Sequence, residues 1–67
     1  MDNVFLKAQD YHDKAKRFND QAATMRALAA KDDDEEYRKA LTGVALSYDR
    51  LAAKMLEAAK QTTSDNP

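Results

Sequence analysis

The chain has 67 residues, of which 11 are basic and 12 are acidic, with one histidine and no cysteine. A chain of this length forms one small domain at most, in which buried apolar area barely offsets the conformational entropy lost on folding. Because there is no cysteine, disulfides and thiolate metal sites are excluded, and association with another chain is the ordinary remaining source of stability. No apolar run is long enough to cross a membrane and the first residues lack a signal-peptide pattern, so we expect a cytoplasmic protein.

The charges are divided unevenly along the chain. Residues 1–31 carry six basic and four acidic side chains, whereas residues 32–67 carry five basic and eight acidic ones. Opposite net charges on the two halves favour two helices that lie side by side more than they favour a polyanionic partner.

The first predicted element is a helix over about residues 3–30, which Asp2 or Asn3 can cap. Neither Gly nor Pro interrupts it, and its apolar residues recur after four and three positions alternately. This is the heptad spacing of a helix that packs along one stripe against a partner helix. The stripe consists of Val4, Ala8, Tyr11, Ala15, Phe18, Ala22, Met25 and Ala29.

An acidic stretch predicts a turn at about residues 31–34. Asp32 with Glu35 and Asp33 with Glu36 form two candidate capping boxes, and the carboxylates lie where the dipole of a following helix favours negative charge. A calcium loop of the EF-hand type needs spaced oxygen ligands, a glycine at its sixth position and a glutamate at its twelfth. The stretch has none of these features, so we expect no metal site.

A second helix is predicted over about residues 34–60, followed by a frayed polar tail over residues 61–67. Its apolar stripe consists of Tyr37, Leu41, Val44, Tyr48, Leu51, Met55 and Ala58. An antiparallel hairpin brings the two stripes into register, with Ala22 facing Val44 and Phe18 facing Tyr48. Small residues opposite large ones indicate a staggered core and not a cofactor pocket. The predicted fold is therefore all-α, an antiparallel two-helix hairpin.

The second helix has more apolar surface than one partner helix can cover. Ala45, Ala52 and Ala59 lie one heptad apart beside the stripe, with Leu56 next to them and Phe5 at one edge. We predict that these five residues form a homodimer interface, through which two hairpins make a four-helix bundle.

The flanking charges favour the same prediction. An antiparallel hairpin sets Arg26 against Arg38 and Lys14 against Lys54, where a hairpin that stands alone would place opposite charges. The alternative is that the exposed alanines only favour helix formation and that the like charges splay into water.

Groups that could carry catalysis do not converge in this sequence. His12 is the single histidine, with no cysteine or serine near it, and Gln9 stands where a di-iron helix bundle would place a glutamate. The single glycine excludes a phosphate-binding loop. We therefore expect no enzyme activity and no cofactor.

The alternative function is a regulatory hairpin dimer that binds RNA or DNA. Lys14, Lys16 and Arg17 cluster on the first helix, and in length and heptads the chain resembles the plasmid copy-control RNA-binding hairpin proteins. Nucleic-acid binding relies on basic side chains that neutralise phosphates, and a net charge of −1 disfavours it.

Three runs of the sequence carry a further resemblance. They read TMRALA over residues 24–29, EYRKAL over 36–41 and ALSYDRLA over 45–52. These runs resemble the patterns R-x-(L/M)-A, R-x-x-L and A-x-x-Y-(D/E)-R-L-A of small uncharacterised helical-hairpin proteins of α-proteobacteria, although the Asp-Pro frequent at that family's turn is missing. The resemblance covers roughly residues 8–60. It implies a helical hairpin and a bacterial source, and no activity.

We therefore predict a bacterial helical hairpin that self-associates and acts through protein–protein contacts, as a structural or adaptor-like regulator. Its expected partners are a second copy of the chain and a further protein. We expect neither a membrane nor, as the first choice, a nucleic acid among its partners.

Overall fold

The computed structural model describes residues 2–64, and the side chains of residues 6–62. This part of the chain forms two helices, α1 (Asp2–Lys31) and α2 (Glu35–Ser64), joined by a turn over residues 32–34. The helices pack against each other, and the described residues include no strand. The prediction of an all-α, two-helix hairpin is confirmed.

The second helix is longer than predicted. It continues to Ser64, so the residues from Gln61 to Ser64 are helical and not part of a frayed tail. The side chain of Thr62 is partly buried, and its hydroxyl donates a hydrogen bond of 2.8 Å to the carbonyl of Ala58. This last turn is therefore part of the regular helix. Residues 65–67 of the predicted tail lie outside the described residues.

The N-terminus of α2 is capped by a different residue from those predicted. Oδ1 of Asp34 accepts from the backbone N–H of Glu36 at 3.0 Å and of Tyr37 at 3.4 Å. Its carbonyl accepts the first bond of α2, from the N–H of Arg38 at 2.9 Å. Asp34 is therefore the N-cap, and the two predicted capping boxes, which begin at Asp32 and Asp33, are wrong.

Asp32 stabilises the turn in another way. Its Oδ1 accepts from the backbone N–H of Asp34 at 2.8 Å, while its own N–H donates to the carbonyl of Ala29 at 3.3 Å. An aspartate that bonds the backbone two residues onward makes an Asx turn, which replaces a backbone turn. The chain thus leaves α1 and enters α2 within three residues.

The residues buried between the helices repeat at heptad spacing on both sides. On α1 they are the predicted ones, Ala8, Ala15, Ala22 and Ala29. On α2 they are Leu41, Ala45, Ala52 and Ala59. The larger residues Tyr11, Phe18, Met25, Tyr48 and Met55 are half-buried.

The predicted stripe of α2 is wrong at alternate positions, where the buried residue is the next one along the chain. Val44, which we expected opposite Ala22, and Leu51 of the same predicted stripe are 42% and 39% exposed, and the neighbouring Ala45 and Ala52 are buried instead. One residue is a rotation of about 100° around a helix. The layer of Phe18 and Tyr48 is as predicted, because the two rings stack with their centroids 6.0 Å apart.

The physical reason for this rotation is the size of the side chains in the seam. Helices approach most closely where both present small residues, towards the lower end of the usual separation of about 8–10 Å. Four alanines on α1 and three on α2 recur at the same spacing, so they can lie opposite one another. Valine or leucine at those places would hold the two helices further apart.

Candidate association surface

The predicted dimer interface does not form one surface in this structure. Ala45, Ala52 and Ala59 are 0%, 2% and 2% exposed, because α1 of the same chain covers them. Leu56 is exposed, and the side chain of Phe5 lies outside the described residues. The three alanines are therefore unavailable to a second chain, and a surface for association must be sought elsewhere on the hairpin.

The large apolar residues displaced from the seam form a line of their own. We call this the outer line: Tyr37, Val44, Leu51 and Ala58, one heptad apart on α2. The first three are 47%, 42% and 39% exposed, and Ala58 is half-buried. Leu28, at the matching flank position of α1, is also exposed. The signal that could have found this surface is the matching alanine spacing on the two helices.

The core that remains between the helices is thin. Seven of the eight buried residues are alanines, and within residues 6–62 no large side chain is fully buried. Each buried CH2 group contributes roughly 0.8 kcal/mol, so an alanine stabilises a fold far less than a leucine does. The apolar residues that could contribute more are those left in contact with water.

The elongated shape of the hairpin also leaves much of its surface in contact with water. Its radius of gyration is 15.4 Å, whereas a compact domain of this length has a radius of about 11 Å. Its accessible surface is 5250 Å², whereas about 4250 Å² is typical of a compact monomer of this mass. The single hairpin therefore exposes on the order of 1000 Å² more than a compact fold would.

The opposite flank of the seam is occupied by a charged pair. The guanidinium of Arg26 donates a hydrogen bond to the carboxylate of Asp49 across the two helices. This bond is the main cause that raises the pKa of Arg26 above its usual value. Arg26 therefore has an acidic partner on α2, a pairing that the prediction of Arg26 against Arg38 did not include.

A shallow depression lies on this second flank, close to the turn. It has a volume of about 660 Å³ and is lined by Arg26, Ala29, Ala30, Glu35, Arg38, Lys39, Thr42, Gly43 and Leu46. Its lining combines small and apolar residues with three cations and one carboxylate. Further along the same flank, the Arg26–Asp49 pair interrupts the apolar surface between Leu46 and Leu56.

The three basic residues predicted for nucleic-acid binding lie on two different sides of α1. Lys14 and Arg17 line a depression of about 280 Å³ together with Phe18, Gln21 and Tyr48. Lys16 precedes Arg17 directly, so it lies about 100° away around the helix. Nζ of Lys14 also pairs with the carboxylate of Asp10 at 3.2 Å. These three cations do not form one continuous basic patch.

Neither a metal-binding cluster nor a membrane-spanning helix occurs in the part of the chain that the structure describes. No three of its His, Asp and Glu side chains lie together in a way that could hold a metal ion, and His12 is exposed on α1. Neither of its helices is both long enough and apolar enough to cross a membrane.

Comparison of the chain with models of protein families, with curated proteins and with solved structures gives no match. The resemblance to the α-proteobacterial hairpin proteins therefore stays a prediction. The exposed surface of the hairpin is therefore the feature that indicates a function.

Proposed function

We propose that the protein is a self-associating helical hairpin that acts through protein contacts, as a structural or adaptor-like component. In this proposal its first partner is a second copy of the chain, and two hairpins form a four-helix bundle. The observation that carries the proposal is the contrast on α2 between alanines buried in the seam and larger apolar residues exposed on the outer line.

The outer line is the part of the surface best suited to a partner helix. Its members recur every seven residues, which is the spacing that a helix presents to one neighbour. A helix pair of this length buries on the order of several hundred Å² per chain, near the lower end of specific interfaces. At about 25 cal/mol per Å² this is an ample gross driving force, although association entropy opposes it.

Sedimentation equilibrium tests the proposal on the wild type and two matched variants. We expect the wild type to be a dimer at micromolar concentrations, and Leu51→Glu to weaken association by at least about tenfold, because it places an unpaired charge in the interface. Leu46→Glu is the control, since Leu46 is at least as exposed as Leu51 but lies on the other flank. A folded, monomeric wild type at high micromolar concentration would overturn the proposal.

One observation keeps the nucleic-acid function as a second candidate. Lys14 and Arg17 lie beside the stacked rings of Phe18 and Tyr48 in one depression, and cations next to aromatic rings are typical of surfaces that bind single strands. A gel-shift series with RNA and DNA tests it. Binding that weakens steeply with salt and is lost in Arg17→Gln would support this function, and absence of binding at low salt would exclude it.

A further inference from the structure

We infer that the two hairpins associate antiparallel, with the outer line of one copy packed on the outer line of the other. The twofold axis passes beside Ser47 and Tyr48, midway along the line. This inference rests on the proposed self-association and adds to it the orientation of the partner.

The charge distribution along the hairpin is the first argument. The half next to the turn, residues 17–49, carries five basic and seven acidic side chains. The half at the open end, residues 2–16 and 50–64, carries six basic and four acidic ones. The hairpin is therefore negative at the turn and positive at the open end, and an antiparallel partner places each half beside the half of opposite sign.

A parallel dimer would have the opposite consequence. It would place two turns side by side, each with five consecutive carboxylates from Asp32 to Glu36. Like charges held together across an interface disfavour that arrangement, and they are one means by which proteins exclude wrong partners. Each turn uses Asp32 and Asp34 to bond its own backbone, so these carboxylates are held at the end of the hairpin.

The sizes of the residues on the outer line are the second argument. An antiparallel pair centred between Val44 and Leu51 places Val44 level with Leu51 of the second copy. It also places Tyr37, the largest residue of the line, level with Ala58, the smallest. A parallel pair would set tyrosine against tyrosine and alanine against alanine, which leaves a bulge at one end and a gap at the other.

Single cysteines distinguish the two orientations, because the chain has none of its own. In the antiparallel dimer, position 37 is about 31 Å along the axis from its own symmetry mate, since the two levels differ by 21 residues at 1.5 Å each. A disulfide needs its two Cβ atoms within about 3.5–4.5 Å. We therefore expect Tyr37→Cys and Ala58→Cys not to cross-link when each is alone, and to form a mixed disulfide when the two are combined.

Further variants complete the experiment. Val44→Cys mixed with Leu51→Cys repeats the test and keeps both ends of the outer line intact. Lys39→Cys is the control that should not cross-link, because Lys39 lies on the flank that carries the depression near the turn. Sedimentation of each reduced variant shows whether it still dimerises. A dimer in which Tyr37→Cys cross-links to itself would overturn the orientation only. A dimer in which no outer-line pair cross-links would overturn this interface, and a monomer would overturn the proposed function itself.

Salt gives an independent test on the unmodified protein. Opposite charges across the antiparallel interface are screened by salt, so the dimer should weaken by roughly threefold between about 0.05 M and 0.5 M NaCl. A parallel dimer, in which the two acidic turns are adjacent, would instead tighten as salt increases, because salt screens the repulsion between them. A dimer that tightens with salt would therefore contradict the antiparallel arrangement.

Discussion

Two lines of apolar residues run side by side along α2, and they meet different surroundings. The inner line, Ala45, Ala52 and Ala59, is buried against α1, whereas Val44 and Leu51 of the outer line, one position before the first two of these alanines, remain in contact with water. Side-chain size alone predicts the reverse. The seam is therefore selected by fit, since alanines on both helices permit a close approach, and the apolar area left over is the surface that we propose for a second chain.

The largest expected effect follows from placing the same charge on each line. Ala52→Glu puts a carboxylate into the seam without a partner, which costs several kcal/mol, about as much as a hairpin of this size has to lose. We expect this variant to lose most of its helical circular dichroism. Leu51→Glu should remain helical and lose association. Equal helicity in the two variants would mean that the assignment of the inner and outer lines is wrong.

A smaller effect is expected from overpacking the seam. Ala22 is 1% exposed, so Ala22→Leu should lower the free energy of unfolding by roughly 1–3 kcal/mol, because the helices must move apart to admit the larger side chain. Ala27→Leu, on the exposed side of α1, is the matched control and should change little. Thermal melts of the two variants make the comparison, and equal shifts would contradict the seam described here.

The sequence was sufficient to predict some of these features and not others. Periodicity predicted the two helices and their antiparallel packing. The apolar stripe of α1 is confirmed from Ala8 to Ala29, and the side chain of Val4 lies outside the described residues. On α2, apolar residues occupy two adjacent lines, so periodicity alone could not decide which of them faces α1. The decision depends on how closely the backbones approach, which is a property of both helices together.

The capping of α2 was mispredicted for a similar reason. Three consecutive aspartates can each cap a helix, and the choice among them depends on the path of the turn. Because the N–H of Asp32 still bonds back to Ala29, and its carboxylate bonds forward to Asp34, the third aspartate is the one placed at the start of α2. None of the four outer-line residues belonged to the predicted interface, because the sequence pattern placed that line inside the seam.

Variants of Asp34 and Asp33 compare the residue that caps α2 with its neighbour in the turn. Asp34→Ala removes the acceptor of two backbone N–H groups and should lower the free energy of unfolding by about 1 kcal/mol. Asp34→Asn should keep most of this stability, since the amide oxygen can accept the same bonds. For Asp33 the structure records no side-chain hydrogen bond, so Asp33→Ala is the control. Chemical denaturation would measure all three, and a larger loss for Asp33→Ala would contradict the assigned cap.

The smallest expected effect is a gain in stability. A Cβ built on Gly43 would meet nothing within 4 Å among the described residues, so Gly43→Ala should stabilise α2 by about 0.5–1 kcal/mol. Gly43 lies in the depression on the flank opposite the outer line. If Gly43→Ala instead weakens association while the hairpin stays folded, the second copy packs on that depression and not on the outer line.

The accessibility of single thiols at positions 51 and 52 shows which line of α2 faces α1 and which faces a second chain. Leu51→Cys and Ala52→Cys differ by one position, and the rate of their modification by a thiol reagent would be followed across protein concentrations. We expect the thiol at position 52 to react slowly at every concentration at which the hairpin is folded. The thiol at position 51 should react rapidly in dilute solution and become protected as the dimer forms. Equal rates at the two positions in dilute solution, or a thiol at position 51 that stays reactive at high concentration, would contradict these expectations.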